Sequence, residues 1–264
     1  MYVKNTLKAK FPKLIKRILY PLRNRLIKKN VAELSFWQSR LKIDKGAFTN
    51  DHYEKLMLAM AEEPDDTFLK GKVVADFGCG PRGSLVWANS ASLLIGIDVL
   101  ADRYADEFTS NIISHGMIYL KSTENVIPLP SDFVDFMFTL NALDHVDNFS
   151  TMCSEIIRVL KPGGLFIGSF NLEEPPSPAE PQRLNEDYLK ENLLNNLKVQ
   201  SYRITRKGPP ENIYAHFFDG KLSYKPGQEG FLWAKARKQY KTNPISLGEN
   251  KSKIQRNIDP AKKN

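Results

Sequence analysis

The sequence predicts an α/β domain: a mostly parallel sheet with helices on both faces, preceded by a helical extension. Three observations predict it. Short apolar, β-branched runs alternate with helical patterns from Lys72 onward, and such alternation means parallel strands joined by right-handed crossovers. The first run, Val73–Phe77, leads into the spacing Gly78-x-Gly80-x-x-Gly83, which suits a tight turn at a strand end. A later helical pattern stops at Pro162-Gly163-Gly164, a helix-terminating signal. With 264 residues and 42% hydrophobic content, the chain can bury a sizeable core in one domain with extensions.

Residues 1–30 read as a basic amphipathic extension. Leu7, Phe11, Leu14, Ile18, Leu22 and Leu26 recur at helical spacing, with Lys and Arg on much of the other face and Pro21 as a kink. Such a helix suits either an anionic membrane surface or packing on a protein. Residues 31–69 read as a helical cap in two stretches, the first with Phe36, Trp37 and Leu41, the second with Tyr53, Leu56, Met57 and Met60, capped by Thr49 or Asn50. Residues 70–237 hold the sheet. Its strands are expected at Val73–Phe77, Ser92–Ile97, Met117–Leu120, Phe133–Leu140 and Gly164–Phe170, with an antiparallel pair near Lys198–Thr205 and Phe231–Ala236 completing seven. A helix is expected after the glycine loop and another over Asn148–Leu160. Residues 238–264 are polar and basic without hydrophobic period, as expected of a disordered tail.

The net charge of +8 is uneven: residues 1–30 carry +10, residues 235–264 carry +7, and the body between them −9. An acidic body argues against a nucleic-acid groove on the main domain. Cys79 and Cys153 are the two cysteines and suggest no disulfide framework. No apolar run approaches the ~20 residues of a membrane span, and no uninterrupted apolar stretch follows the basic N-terminus, so a cytoplasmic protein is expected, with peripheral contact at an inner membrane surface as an option.

In open α/β sheets the ligand sits beyond the carboxyl ends of the strands, which places the glycine loop at the site. Asp98 lies twenty residues after Gly78, where an acid that binds ribose hydroxyls is expected. A nicotinamide dinucleotide and S-adenosylmethionine (SAM) both satisfy this. Asp76 separates them, because a carboxylate a few Å from a pyrophosphate repels it by about 4 kcal/mol at an effective dielectric near 20. The same carboxylate suits a ligand that carries an ammonium and no phosphate.

Asp76-Phe77-Gly78-Cys79-Gly80-Pro81 resembles motif I of class I SAM-dependent methyltransferases, of the methyltransferase type 11 kind. Ile95-Gly96-Ile97-Asp98 resembles the end of their second strand. Ile127-Pro128-Leu129-Pro130 with Phe133-Val134-Asp135 is similar to the run entering their fourth strand, and Arg158-Val159-Leu160-Lys161-Pro162-Gly163-Gly164 to the signature before their fifth. The resemblance covers residues 70–172, and more loosely the strands to 236. It implies a Rossmann-like, seven-stranded sheet and SAM as cofactor. It also implies a cofactor set of Asp76, Gly78, Cys79, Gly80, Asp98, Val99 and Asn141, with Thr123 or Glu124 near the adenine amino group.

The acceptor side is expected after the fourth strand, in Asn141-Ala142-Leu143-Asp144-His145. His145 can take a proton near neutral pH, with Asp144 or Asp147 to orient it; the competing reading is a histidine that only shapes the loop. His216, in the insert between the last strands, is a more distant candidate, and Arg183, after the proline-rich run that begins at Pro175, is a candidate anion contact. No metal-ligand spacing of His or Cys is visible. These readings lead to methyl transfer to a small molecule or cell-envelope glycan precursor, at oxygen. A lipid-soluble or nucleic-acid acceptor and a non-catalytic scaffold are the alternatives.

Overall fold

The computed structural model describes residues 29–209, 212–220 and 223–240. The basic extension as far as residue 28 and the tail from residue 241 lie outside the described residues. No helix among the described residues is long and apolar enough to cross a membrane.

Seven strands form one sheet in the order β3-β2-β1-β4-β5-β7-β6. They are β1 Val73–Phe77, β2 Leu93–Asp98, β3 Ile118–Lys121, β4 Val134–Leu140, β5 Leu160–Leu172, β6 Lys198–Arg206 and β7 Gly230–Arg237. β7 is antiparallel to both of its neighbours, and the pairs from β3 to β5 are parallel. Residues Val74 through Phe77 are buried without a break, as a central strand covered on both faces requires.

Helices cover both faces. On one, α5 (Phe149–Val159) packs Met152, Cys153, Ile156 and Val159 into a core with Ile95, Met137 and Phe166; the spacing is that of a single helical stripe. On the other, α2 (Asp51–Ala61) buries Leu56, Met57 and Met60 against Val74, Phe138 and Trp233. Completely burying one such side chain contributes roughly 1.5–3 kcal/mol. A smaller cluster joins helix α1, which covers residues 29–43, to α3 (Ala101–Glu107) through Leu34, Phe48, Leu100 and Tyr104. The remaining helices are short: α4 (Thr109–Ser114), α6 (Glu186–Asn192) and α7 (Ala215–Phe218).

The structure corrects three local expectations. The crossover from β1 to β2 has no α-helix. It runs through successive turns, with Val86 N–H donating to Gly83 O, Ala88 N–H to Leu85 O and Asn89 N–H to Trp87 O. Pro81, Gly83 at φ 74° and the Asn89-Ser90 pair favour turns over a continuous helix. The glycine loop therefore does not lead into a helix N-terminus. The Pro162-Gly163-Gly164 stop lies within β5, which begins at Leu160, and α5 ends one residue earlier than its pattern suggests; a register shift between Val134 and Phe136 absorbs the irregularity. Asn50 is the N-cap of α2, yet neither candidate side chain caps it. The Thr49 hydroxyl faces Asp44 and Arg82 instead.

Candidate active site

One cavity of about 1070 Å³ opens beyond the carboxyl ends of the strands, at the point where the chain leaves β1 for β2 on one side and β4 lies on the other. Asp76 and Phe77 of β1, Ile97 and Asp98 of β2, the residues Ser122–Glu124 after β3, Leu140 of β4 with Asn141 and Ala142 after it, and Asn171 of β5 all line it. Helix α1 adds Lys29, Glu33, Trp37 and Arg40, and the insert before β7 adds Ile213, Tyr214 and Phe218. Single drug-sized ligands occupy pockets of roughly 300–1,000 Å³, so this space stands at the top of that range.

Asp76 is 2% exposed. Its Oδ2 accepts from the Ser84 hydroxyl, while Oδ1 has no partner among the described residues. Burial raises its carboxyl to about 7, against the pull of the Ser84 hydrogen bond. Asp98 is equally buried, and its oxygens accept from the backbone N–H groups of Gly80 at 3.0 Å and Leu100 at 2.9 Å. Burial raises its pKa too, opposed by those two bonds.

Gly80 does not line the cavity; its role is to donate to Asp98, with Trp37 packed where a Cβ would be. A Cβ on Gly78 would stand 2.1 Å from Ala142 Cβ, so this glycine lets the turn after β4 close on the loop. Cys79 and Val99 line the cavity. The Cys79 thiol is buried against Gly96, and burial pushes its pKa well up, which suits packing better than nucleophilic chemistry.

Asn141 adopts a left-handed backbone at φ 47°, a conformation that Asn tolerates. Its N–H donates to Ser169 O, its side-chain amide donates to the Tyr214 hydroxyl at 2.7 Å, and its Oδ1 accepts from the Ser169 hydroxyl. This fixed turn leads into the short 3₁₀ segment Leu143–His145.

Thr123 and Glu124 both line the cavity. The Thr123 hydroxyl accepts from the N–H groups of Asn125 and Val126. Glu124 accepts from the Lys29 ammonium at 2.9 Å through Oε1 and from Asp147 N–H at 2.9 Å through Oε2. That carboxylate ties helix α1 to the loops after β3 and β4.

Around His145 the chain brings together what the sequence separates. Nδ1 lies 3.9 Å from Glu33 Oε2, and Nε2 lies 3.9 Å from Asp144 Oδ1 and 3.7 Å from Glu180 Oε1. Burial lifts Asp144 to about 6. Burial, then the charge of Asp98, lifts Glu33 to about 7, with His145 and Lys29 opposing. Sequence reasoning missed Glu33, Glu180 and Tyr214. Glu33 was recoverable, since Lys29, Glu33 and Trp37 recur every fourth residue on one helix face and all line the cavity. His216 and Arg183 are not lining residues; Arg183 pairs with Glu173, and His216 Nδ1 lies 3.8 Å from Asp219.

These groups fit SAM better than a dinucleotide. The unpartnered Asp76 oxygen suits an ammonium, directly or through water, and Asp98 keeps lone pairs for ribose hydroxyls. The cations available to a diphosphate are already engaged: Lys29 by Glu124, Arg40 and Arg82 by Asp44, and Lys207 by Glu174. Lys55 lies over the Phe218 ring.

A family model described as a methyltransferase domain matches residues 75–168. A malonyl-[acyl-carrier protein] O-methyltransferase of Enterobacter lignolyticus (strain SCF1) is 29% identical over 107 residues, 40% of each chain. The matches span less than half the length of each curated relative. Among solved structures, a SAM-dependent methyltransferase from Mesorhizobium loti is similar with a TM-score of 0.51 and 17% identity, over 70% of this chain and 98% of that one. The [4+2]-cyclase SpnF is similar with a TM-score of 0.53 and 20% identity, over 70% of this chain and 80% of that one. At such identities the likeness is one of fold, and a cyclase among these structures illustrates that fold alone does not set the reaction.

Proposed function

We propose that this chain, whose residues 75–168 form a class I SAM-dependent methyltransferase domain, transfers a methyl group from SAM to an oxygen of a small molecule or cell-envelope glycan precursor. The observation that carries this reading is the single cavity that joins Asp76 and Asp98 on one side to Glu33, His145 and Glu180 on the other. Bound there, SAM supplies a methyl group on a sulfonium, whose S–C bond breaks as the acceptor's O–C bond forms. Asp76 favours an ammonium and Asp98 the ribose hydroxyls. Tyr214 and Phe218 help to wall the acceptor end and limit water there.

A hydroxyl acceptor must lose a proton, and the His145 cluster offers a base whose ring nitrogens both face carboxylates. The carboxylates hold the ring and offset the positive charge it gains. The relative from Enterobacter lignolyticus is named as an O-methyltransferase, which agrees with an oxygen acceptor.

The test is transfer of methyl-labelled SAM to extracted metabolites and glycan precursors. Label should enter an alkali-stable ether or a carboxyl ester, and His145→Gln should lower kcat by at least ~100-fold, the lower range for general-base catalysis, with SAM affinity unchanged. SAM binding with no label in any extract would turn the reading to a non-catalytic scaffold.

A further inference from the structure

The 3₁₀ segment after β4 and the proline-rich run after β5 bring three ligand-type side chains together, His145 and Glu180 on the cavity wall and Asp144 buried beside them. The nearest donor atoms of Asp144, His145 and Glu180 all lie within 4.8 Å of one another. Both carboxylates divide their oxygens in the same way. Asp144 Oδ2 accepts from the Asn171 amide at 2.8 Å, and Glu180 Oε2 from the Ser177 hydroxyl at 3.4 Å. The other oxygen of each, Asp144 Oδ1 and Glu180 Oε1, stands 3.9 and 3.7 Å from His145 Nε2.

Asp144 is 3% exposed, and its Oδ1 has no hydrogen-bond partner among the described residues. A buried carboxylate oxygen left in this state costs free energy unless a cation or donor occupies the space it faces. We propose that Asp144, His145 and Glu180 bind a divalent metal ion of the first transition row. Donor atoms around a tetrahedral ion with bonds of ~2.0–2.2 Å stand about 3.3–3.6 Å apart. The two distances to His145 Nε2 need only a small contraction, and the carboxylates, whose donor atoms lie within 4.8 Å of each other, can close on an ion through Glu180, whose side chain is 36% exposed.

The surroundings of the triad favour the same assignment. A metal-bound histidine commonly directs its other ring nitrogen at a carboxylate, which fixes the ring and strengthens the ligand. His145 Nδ1 has no hydrogen-bond partner, and Glu33 Oε2 lies 3.9 Å from it. One imidazole with two carboxylates suits Mn²⁺, Fe²⁺ or Zn²⁺. With Nε2 on the ion His145 no longer serves as the base; three protein ligands leave a position for an acceptor oxygen, whose proton the ion would make easier to lose. That consequence rests on the methyl-transfer reading; metal binding does not.

The experiment is a titration of the chelator-stripped full-length protein with Mn²⁺ at pH 7.5, following free Mn²⁺ by electron paramagnetic resonance, with Zn²⁺ as competitor. One ion should bind per chain with a Kd below about 100 μM. Glu180→Gln and His145→Gln should each weaken it at least tenfold, while Glu180→Gln keeps the melting temperature and SAM affinity of the parent. No saturable uptake by the parent, or the same affinity in Glu180→Gln, overturns the proposal. Neither measurement involves an acceptor, so a failed metal titration leaves the methyl-label assay standing, and the reverse holds too.

Discussion

The proposed cofactor side of the cavity and the proposed acceptor side are built from similar side chains by different means. On the cofactor side a short stretch from Asp76 to Ser84, with Asp98 from the adjacent strand, supplies the key groups. Backbone N–H groups of Gly80 and Leu100 hold Asp98 in place. On the acceptor side, α1, the turn after β4, the proline-rich run and the insert before β7 each contribute several residues. Contacts between side chains hold that wall together, as between Asn141 and Tyr214 or between Asn171 and Asp144. The cofactor wall is thus tied to the sheet, and the acceptor wall can vary with its loops while the sheet stays the same.

Several substitutions break or sharpen this contrast. The largest effect is expected at Gly78→Ala, where a new Cβ meets Ala142 Cβ at 2.1 Å on a backbone with φ 71°. Overpacking and left-handed strain together should cost about 2–5 kcal/mol in denaturant unfolding. A loss under ~0.5 kcal/mol would show that the two loops are not locked together. Next is Asp98→Ala, which should weaken SAM binding by tenfold or more, equivalent to at least ~1.4 kcal/mol. Calorimetry reads this directly, and unchanged affinity contradicts the ribose assignment.

Asp76 gives a pH-dependent test. Its carboxyl is held near 7 in the folded chain by burial, against ~3.9 when unfolded. Between those values the folded state holds the extra proton, so stability falls as pH rises through the window and the penalty is complete above pH 7. Asp76→Asn should therefore raise the melting temperature of the cofactor-free protein at pH 7.5 by more than at pH 5. An equal difference at both pH values would contradict the raised pKa. The smallest effect is expected at Arg183→Ala, outside the cavity. Its pair with Glu173 has an Arg side chain 56% exposed, and such pairs contribute ~0–1 kcal/mol. Methyl transfer and stability should both be nearly unchanged.

The same contrast decides what could be read in advance. Each expected strand was found within a few residues, because buried parallel strands are written as continuous apolar runs. Asp76, Cys79, Asp98 and Asn141 line the cavity, each within two residues of a strand's carboxyl end, where short contiguous motifs lie. The helix after the glycine loop was misjudged. Leu85 and Ala88 are buried there and give an apolar signal that a run of turns satisfies as well as a helix does. Glu180 and Tyr214 could not be placed from sequence, because their approach to His145 and Asn141 depends on how long connections return over the sheet. The same is true of the Asp144–His145–Glu180 triad, whose third member lies thirty-five residues beyond the second. No local spacing marks such a group.

Calorimetric titration with SAM and, separately, with NADH at pH 7.5 tests the central claim most directly. Saturable binding of SAM at one site per chain, lost in Asp98→Ala, with no heat from NADH, is the result expected of a cleft that pairs a buried carboxylate with an ammonium. Firm NADH binding, or no binding of SAM at millimolar concentration, would contradict it.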